Sequence, residues 1–246
     1  MTKILAHRGA NKAAPQNTIP AFLKAIEMGA HGVENDVHLT ADGHLVIVHD
    51  YAIDNMSNGT GLVSDYTLEE LKKFDFGSYF SPEFAGTQIP TLHEFLDIAD
   101  KFEVINIEIK SPKQKGTDIV KKTIDAVKEH GLFDRLIISS FDDTLLVEAK
   151  EIDKTVKTGL LYSPDSPIIE KVFDDPFAYA KKIGADALHP LCFYVDEEYI
   201  ETAHKNGLIV NPWCVNLPEG MKAMSEWKCD GIISDVPDLC VETIGR

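Results

Sequence analysis

Gly32-Val33-Glu34-Asn35-Asp36-Val37 is the stretch from which the rest of the chain can be read. Taken as a β-strand, its period of two puts Val33, Asn35 and Val37 on one face and Glu34 with Asp36 on the other. Two carboxylates on one side of an apolar strand repel each other and are costly to desolvate, so they call for a cation, a shared proton or open water. Standing alone, the stretch is better read as an edge strand with a solvated acidic face. Its surroundings reverse that reading.

The same parity returns in Val104-Ile105-Asn106-Ile107-Glu108-Ile109-Lys110, where three isoleucines face one way and Asn106, Glu108 and Lys110 the other. Around these two stretches, strand and helix alternate. Ile4-Leu5-Ala6-His7 is a first strand broken by Arg8-Gly9. Asn17 or Thr18 can cap a helix carrying Ile19, Phe22, Leu23 and Ile26, which Gly29 stops. A turn at Ala41-Asp42-Gly43 extends the second strand into a hairpin arm, Leu45 to His49, whose parity sets His49 on the face of Leu45 and Ile47. Further strands are expected at Val104–Ile109, Leu136–Ser140, Val156–Leu160, Ala185–His189, Leu208–Asn211 and Gly231–Ser234. Helices are expected around Leu92–Phe102, Thr117–His130, Asp142–Ile152, Ile168–Ile183, Asp196–His204, Glu219–Trp227 and Pro237–Ile244. A helix end, a glycine and then a strand recur at Gly29, Gly184 and Gly207, and more loosely at Cys229-Asp230-Gly231.

The count is eight strands, each followed by a helix, in 246 residues, close to the ~250 of a (β/α)8 barrel. The expected class is therefore α/β, a TIM barrel forming one catalytic domain over residues 1–246. Residues 51–90 have no sustained period and are rich in Gly, Ser, Asn and aromatics. At about 40 residues this connection is far longer than an ordinary loop, so it reads as a small insertion after the second strand that folds over something. A doubly wound open sheet is the alternative fold, but no Gly-rich dinucleotide fingerprint follows the first strand.

With 24 basic against 40 acidic residues the net charge is −16, which argues against nucleic-acid binding or attraction to an anionic membrane surface. An anionic substrate must then be met by a local positive site. No long apolar run or leader pattern is present, and the four cysteines show no C-x-x-C spacing, so reduced thiols, a cytoplasmic location and no membrane insertion are expected. Oligomeric state has no signal in the sequence.

Parallel sheets are covered on both faces and barrel interiors are normally aliphatic, so a polar inner row wants a reason. Barrel chemistry gathers at the carboxyl ends of the strands, where His7, Glu34, Asp36, Glu108 and Lys110 all fall. Carboxylates without a thiolate suit Mg²⁺, Mn²⁺ or Ca²⁺ better than zinc. Arg8 and Lys110 can meet phosphate oxygens, and His7 and His49 are candidates for proton transfer, which makes phosphoryl transfer to water or to a neighbouring hydroxyl the natural reaction class. Trp213 and Phe141, at strand ends, are candidates to line the pocket. His189, ending the sixth strand, is a further candidate, and Asp50 a supporting group for His49. His204 reads as structural, and His31, His44 and His130 as solvated.

His7-Arg8-Gly9 followed by Pro15-Gln16-Asn17-Thr18 resembles the opening of the glycerophosphodiester phosphodiesterase family. In order and spacing, Glu34-x-Asp36, Thr40-x-Asp42-Gly43, His49-Asp50, Ile89-Pro90-Thr91-Leu92, Glu108-Ile109-Lys110, Ser140-Phe141-Asp142, Trp213-x-Val215-Asn216 and Asp230-Gly231-Ile232-Ile233-Ser234-Asp235-x-Pro237 extend the likeness almost end to end. The resemblance implies one divalent metal held by Glu34, Asp36 and Glu108, Mg²⁺ first with Ca²⁺ or Mn²⁺ as alternatives. It also implies acid/base histidines at His7 and His49, substrate contacts from Arg8, Lys110 and Trp213, and hydrolysis of a small glycerophosphodiester such as glycerophosphocholine to glycerol 3-phosphate and an alcohol. The alternatives are a protein that binds phosphodiesters or polyol phosphates without turnover, and a phospholipase-like enzyme forming a cyclic phosphate. Three positions depart from the family pattern: Gln16 stands for Glu, Asn55 for Arg, and Cys214 for Thr at a packing position.

Overall fold

Short β-branched runs bounded by glycine or by helix caps become the staves of a barrel. The computed structural model describes residues 1–112 and 116–245. In chain order its elements are β1 (Lys3–His7), α1 (Ile19–Glu27), β2 (Gly32–Leu39), β3 (Leu45–Ile47), α2 (Leu68–Leu71), α3 (Leu92–Leu96), β4 (Val104–Ile109), α4 (Ile119–Glu129), β5 (Leu136–Ser140), α5 (Asp143–Ile152), β6 (Lys157–Tyr162), α6 (Ile169–Val172), α7 (Pro176–Ile183), β7 (Ala187–Pro190), α8 (Glu197–Lys205), β8 (Ile209–Val210), α9 (Pro218–Glu226), β9 (Gly231–Ser234) and α10 (Pro237–Ile244).

Eight of these strands are parallel, in the order β8-β7-β6-β5-β4-β2-β1-β9, while β3 pairs antiparallel with the end of β2. The ring closes between β8 and β9 through separate backbone bonds: Asp230 N–H donates to Val210 O (3.2 Å), Ile233 N–H to Pro212 O (3.1 Å) and Val215 N–H to Ile233 O (3.0 Å). Pro212 has no N–H to offer a ladder, which is why β8 stops at Val210 rather than at Asn211 as the apolar pattern suggests. The expected (β/α)8 architecture is the one observed.

Ile105, Ile107 and Ile109 are fully buried in the main core shared with the helices, together with Phe22 of α1, Phe95 of α3 and Ile124 of α4. The opposite row faces the barrel interior. Register sets Glu34 beside His7 on one side and beside Asn106 on the other, and Asp36 beside Glu108. Space for large interior side chains comes from glycine: a Cβ on Gly159 would lie 2.6 Å from His189 Nε2, and one on Gly231 would lie 2.5 Å from Asn211 Oδ1.

Other boundaries differ from the sequence reading as well. The segment expected as one helix from Ile168 to Ile183 is two, because Asp175 caps a new start by accepting from Ala178 N–H, with Pro176 as the first helical residue. Helix α3 gives way to a 3₁₀ turn, Ala99–Lys101, before Phe102. The hairpin arm ends at Ile47, so His49 lies beyond the strand and its direction does not follow the parity of Leu45 and Ile47.

The two faces of β3 serve different cores. Leu45 and Ile47 join the main one, whereas Val46 and Val48 pack with Ile53, Met56, Val63, Leu71, Phe76 and Ile89 in a second cluster beneath the long connection. Among the described residues, no helix is long and apolar enough to cross a membrane.

Candidate active site

Strand β1 ends in a turn where Arg8 (φ 56°) and Gly9 (φ 76°) both take left-handed backbone, uncommon for a residue such as arginine. The turn aims Arg8 N–H at Glu34 Oε2 (3.0 Å), and the Arg8 side chain donates from Nη1 to Gln16 Oε1 (2.6 Å) while Nε lies 3.6 Å from Asp36 Oδ2. Gln16 thus holds the guanidinium without adding a charge. Asn17, also left-handed, does not cap α1. Its Nδ2 donates to Asp36 Oδ2 (2.7 Å), and Thr18 takes the cap position.

One carboxylate oxygen from each of Glu34, Asp36 and Glu108 lies within 4.8 Å of the others, and all three residues are buried. Lys110 Nζ sits 2.8 Å from Asp36 Oδ1 and also bonds Glu108. Burial would raise the Asp36 carboxyl, but Lys110, His49 and Arg8 outweigh it and hold Asp36 far below the usual range. Burial, followed by the charges of Asp36 and Glu108, pushes Glu34 well above it. Burial likewise lifts Glu108, to about 7, against the pull of Lys110. Burial disfavours the Lys110 ammonium, yet Asp36 and Glu108 keep it more firmly protonated than an ordinary lysine. Three carboxylates against two cations leave Glu34 with no lysine or arginine ion pair among the described residues, and an all-oxygen set of this kind fits a hard divalent cation.

The imidazoles stand on either side. His7 Nδ1 is 2.6 Å from Asp235 Oδ1 and His49 Nδ1 is 2.6 Å from Asp50 Oδ1. An ionised carboxylate can only accept, so each ring donates from Nδ1 and keeps Nε2 free as an acceptor. His7 Nε2 lies 4.0 Å from Glu34 Oε2. Burial lowers both imidazoles below their ordinary value, opposed at His7 by the Asp235 hydrogen bond and at His49 by the Asp36 charge. Asp235 is fixed in turn by Asn11 Nδ2 (2.6 Å) and Asn216 Nδ2 (2.7 Å). His38, whose pKa burial brings down to about 4, bonds His49 O through Nε2 (3.2 Å).

His7, Arg8, Glu34, His49, Asn106, Glu108, Phe141, Leu161, Trp213 and Ile233 line a cleft of about 130 Å³, and the Phe141 and Trp213 rings meet edge to face. Asp36 and Lys110 flank it through Glu108. His7, Arg8, Glu34, Asp36, His49, Glu108, Lys110, Phe141 and Trp213 are therefore gathered here, whereas His189 is not. Asn106 adds a fully buried amide that no group among the described residues satisfies. A larger cavity of about 370 Å³, at the opposite mouth between Lys3, Lys157, Ile209 and Asn211, is lined by neither His7 nor His49.

Other expectations change. His189 does not line the cleft. It is fully buried inside the barrel, accepts from Asn211 Nδ2 (3.1 Å), and its backbone carbonyl holds Trp213 Nε1 (2.8 Å). Cys214 is more than packing, since its Sγ lies 3.3 Å from His7 Nδ1. Asn55 reaches Asp50 Oδ2 (3.5 Å). Asp235, Asn17, Asn106 and His38 are among the site residues that the sequence reading did not place in the site. Asp235 and Asn17 sit inside quoted motifs, but their partners are distant in sequence; His38 carried no signal beyond its parity with Glu34 and Asp36.

Residues 7–239 match the profile of the glycerophosphoryl diester phosphodiesterase family. The chain belongs to that family. A glycerophosphodiester phosphodiesterase of Caldanaerobacter subterraneus subsp. tengcongensis is 43% identical over 246 residues, covering 100% of this chain and 98% of the relative, and one from Bacillus altitudinis is 34% identical over 98% of both. Among solved structures, a phosphodiesterase of Oleispira antarctica in complex with the product sn-glycerol-3-phosphate superposes with a TM-score of 0.90 at 26% identity, covering 100% of this chain and 98% of that one. The family member from Thermotoga maritima gives 0.76 at 31% identity, covering 98% of each. As a member of this phosphodiesterase family, the chain is a phosphoric diester hydrolase.

Proposed function

We propose that the enzyme hydrolyses small glycerophosphodiesters, such as glycerophosphocholine, to glycerol 3-phosphate and an alcohol, with one divalent ion at Glu34, Asp36 and Glu108 and with His7 and His49 exchanging protons. The observation that carries this is the pair of carboxylate-held imidazoles facing one cleft over the acidic trio. Glycerol 3-phosphate bound to the Oleispira antarctica relative supports the product assignment.

Charge counting favours a diester. Three carboxylates with Arg8 and Lys110 come to one negative charge, and a divalent ion turns that into one positive charge, matching the single negative charge of a phosphodiester. Bound there, the ion supplies Lewis-acid charge to a phosphoryl oxygen. Mg²⁺ comes first, with Ca²⁺ or Mn²⁺ as alternatives.

Arg8 and Lys110 orient the anionic phosphoryl group and stabilise charge that develops on it, and the Asn106 amide is poised to bond an oxygen within the cleft. One imidazole removes the proton from the nucleophile through Nε2, and the other, in its protonated form, returns one to the leaving alkoxide. The Trp213 and Phe141 rings supply an apolar wall for the substrate's carbon atoms. Within a single barrel domain, residues 51–90 act as an insertion subdomain that closes over the leaving side. In support, Tyr79 OH accepts from Gln16 N–H (3.2 Å) and Tyr51 OH donates to Ser111 O (3.1 Å).

The test is glycerol 3-phosphate release from glycerophosphocholine with Mg²⁺, Mn²⁺ or Ca²⁺, before and after chelation. Activity should vanish with EDTA and return with one of the three. Glu34→Gln should lose metal-dependent turnover by about 10²-fold or more. Full activity in EDTA, or in that variant, would refute the metal assignment.

A further inference from the structure

The side of His7 turned away from the carboxylate trio carries a second set of ligating atoms. Nδ1 lies 2.6 Å from Asp235 Oδ1 and 3.3 Å from Cys214 Sγ, and the three atoms fall within 4.8 Å of one another. They come from the end of β1, the β8–α9 loop and the residue after β9. These segments are tied together by the Val215–Ile233 backbone bond and by Asn216 Nδ2 on Asp235 Oδ2 (2.7 Å), so the set is assembled before any ion arrives. Nitrogen, sulfur and carboxylate oxygen together suit Zn²⁺ or the softer Cd²⁺, whereas Mg²⁺ and Ca²⁺ favour the all-oxygen trio. Ligand atoms around tetrahedral zinc lie about 3.3–3.8 Å apart, so the His7–Cys214 spacing already fits and the His7–Asp235 contact must open by roughly 1 Å.

We propose that His7, Cys214 and Asp235 form an inhibitory site for a soft divalent ion of the Zn²⁺ class, separate from the carboxylate trio. On binding, the Cys214 thiol proton passes to solvent as the metal–sulfur bond forms, and thiolate plus carboxylate neutralise the dication. His7 gives its Nδ1 lone pair to the metal, so the single ring proton resides on Nε2. The nitrogen that faces Glu34 then becomes a donor, and the ring cannot take a proton from a nucleophile. No electron transfer is involved. The inhibition rests on the acid/base role proposed for His7, but the binding does not.

The experiment titrates the full chain, held in excess Mg²⁺ to occupy the trio, with Cd²⁺ and follows the ultraviolet thiolate-to-cadmium charge-transfer band. The band should saturate at one equivalent, persist in Cys192→Ser, whose thiol donates to Cys214 O (3.3 Å), and disappear in Cys214→Ser. Cys214→Thr gives the same reading should the serine variant fold poorly. With glycerophosphocholine as substrate, the Zn²⁺ concentration for half inhibition should rise at least about tenfold in Cys214→Thr, each variant being compared with its own zinc-free rate. Absence of the band, its survival without Cys214, or its loss with Cys192 would overturn the site. Equal zinc sensitivity with and without Cys214 would overturn the inhibition. Because the band is read without turnover, failure of the phosphodiesterase reading leaves it unaltered, and the two failures are distinguishable.

Discussion

A carboxylate that grips Nδ1 decides what an imidazole can do with Nε2, and His7 and His49 are gripped unequally. The Asp235 side chain is 15% exposed and fixed by two asparagines, whereas that of Asp50 is 39% exposed and, among the described residues, is hydrogen-bonded by Asn55 besides its histidine. Asp235→Asn would present an amide that can donate to Nδ1, favouring the wrong tautomer, so kcat should fall by about 10²-fold or more while KM moves little and the pH profile changes shape. Asp50→Asn, better screened by water, should cost less. Either histidine replaced by alanine should lose about 10²–10⁴-fold, and steady-state rates on a substrate with an acidic leaving alcohol tell them apart. The proton donor is the one whose variant recovers on that substrate; equal deficits on both substrates would refute the division of roles. Glu34, Asp36 and Glu108 were legible because a period of two is a local property of the chain. The hold of Asp235 on His7 was not, because it spans 228 positions.

Elements were legible where caps and breakers lie close to apolar periodicity. Thr91 and Glu94 form a reciprocal capping box that starts α3, and Glu94 also binds Lys72, which directly follows α2 (2.6 Å). Thr91→Ala should therefore cost about 1 kcal/mol in urea unfolding, with no change in glycerol 3-phosphate release, since neither Thr91 nor Glu94 lines the cleft. An unchanged midpoint would show that the cap contributes nothing. What could not be read was where a strand stops for a tertiary reason. The arm carrying His49 ends at Ile47, although Val48 N–H still donates to Asp36 O (3.0 Å). The Asp175-Pro176 start was legible in principle, since an acidic cap before proline begins a helix rather than continuing one.

Across the whole molecule, eightfold alternation fixed the architecture, but the filling of the barrel was hidden. Gly159 and His189 are complementary only because β6 and β7 are neighbours in the ring. Burial takes the His189 pKa from 6.5 to about 3, while the unfolded chain binds the proton at the ordinary value. The contribution of the neutral ring to stability is thus complete above pH 6.5 and is lost as the pH falls through that value towards 3. Between pH 6.5 and about 5 the loss should reach about 2 kcal/mol. Urea unfolding at both pH values should show His189→Gln, which has no ring to titrate, losing about that much less than the wild type; parallel losses would show that His189 does not titrate on unfolding.

Strand β3 bears on how freely this architecture could be re-engineered. Its two faces belong to different cores, so the long connection is not a cassette with clean borders at residues 51 and 90. Excising that span would leave Val46 and Val48 bare on a barrel whose own packing still needs Leu45 and Ile47. A graft of the same span would arrive without the strand that roots it. Exchange between relatives has to begin before Leu45, and substrate preference encoded in the connection is inherited together with part of the barrel wall.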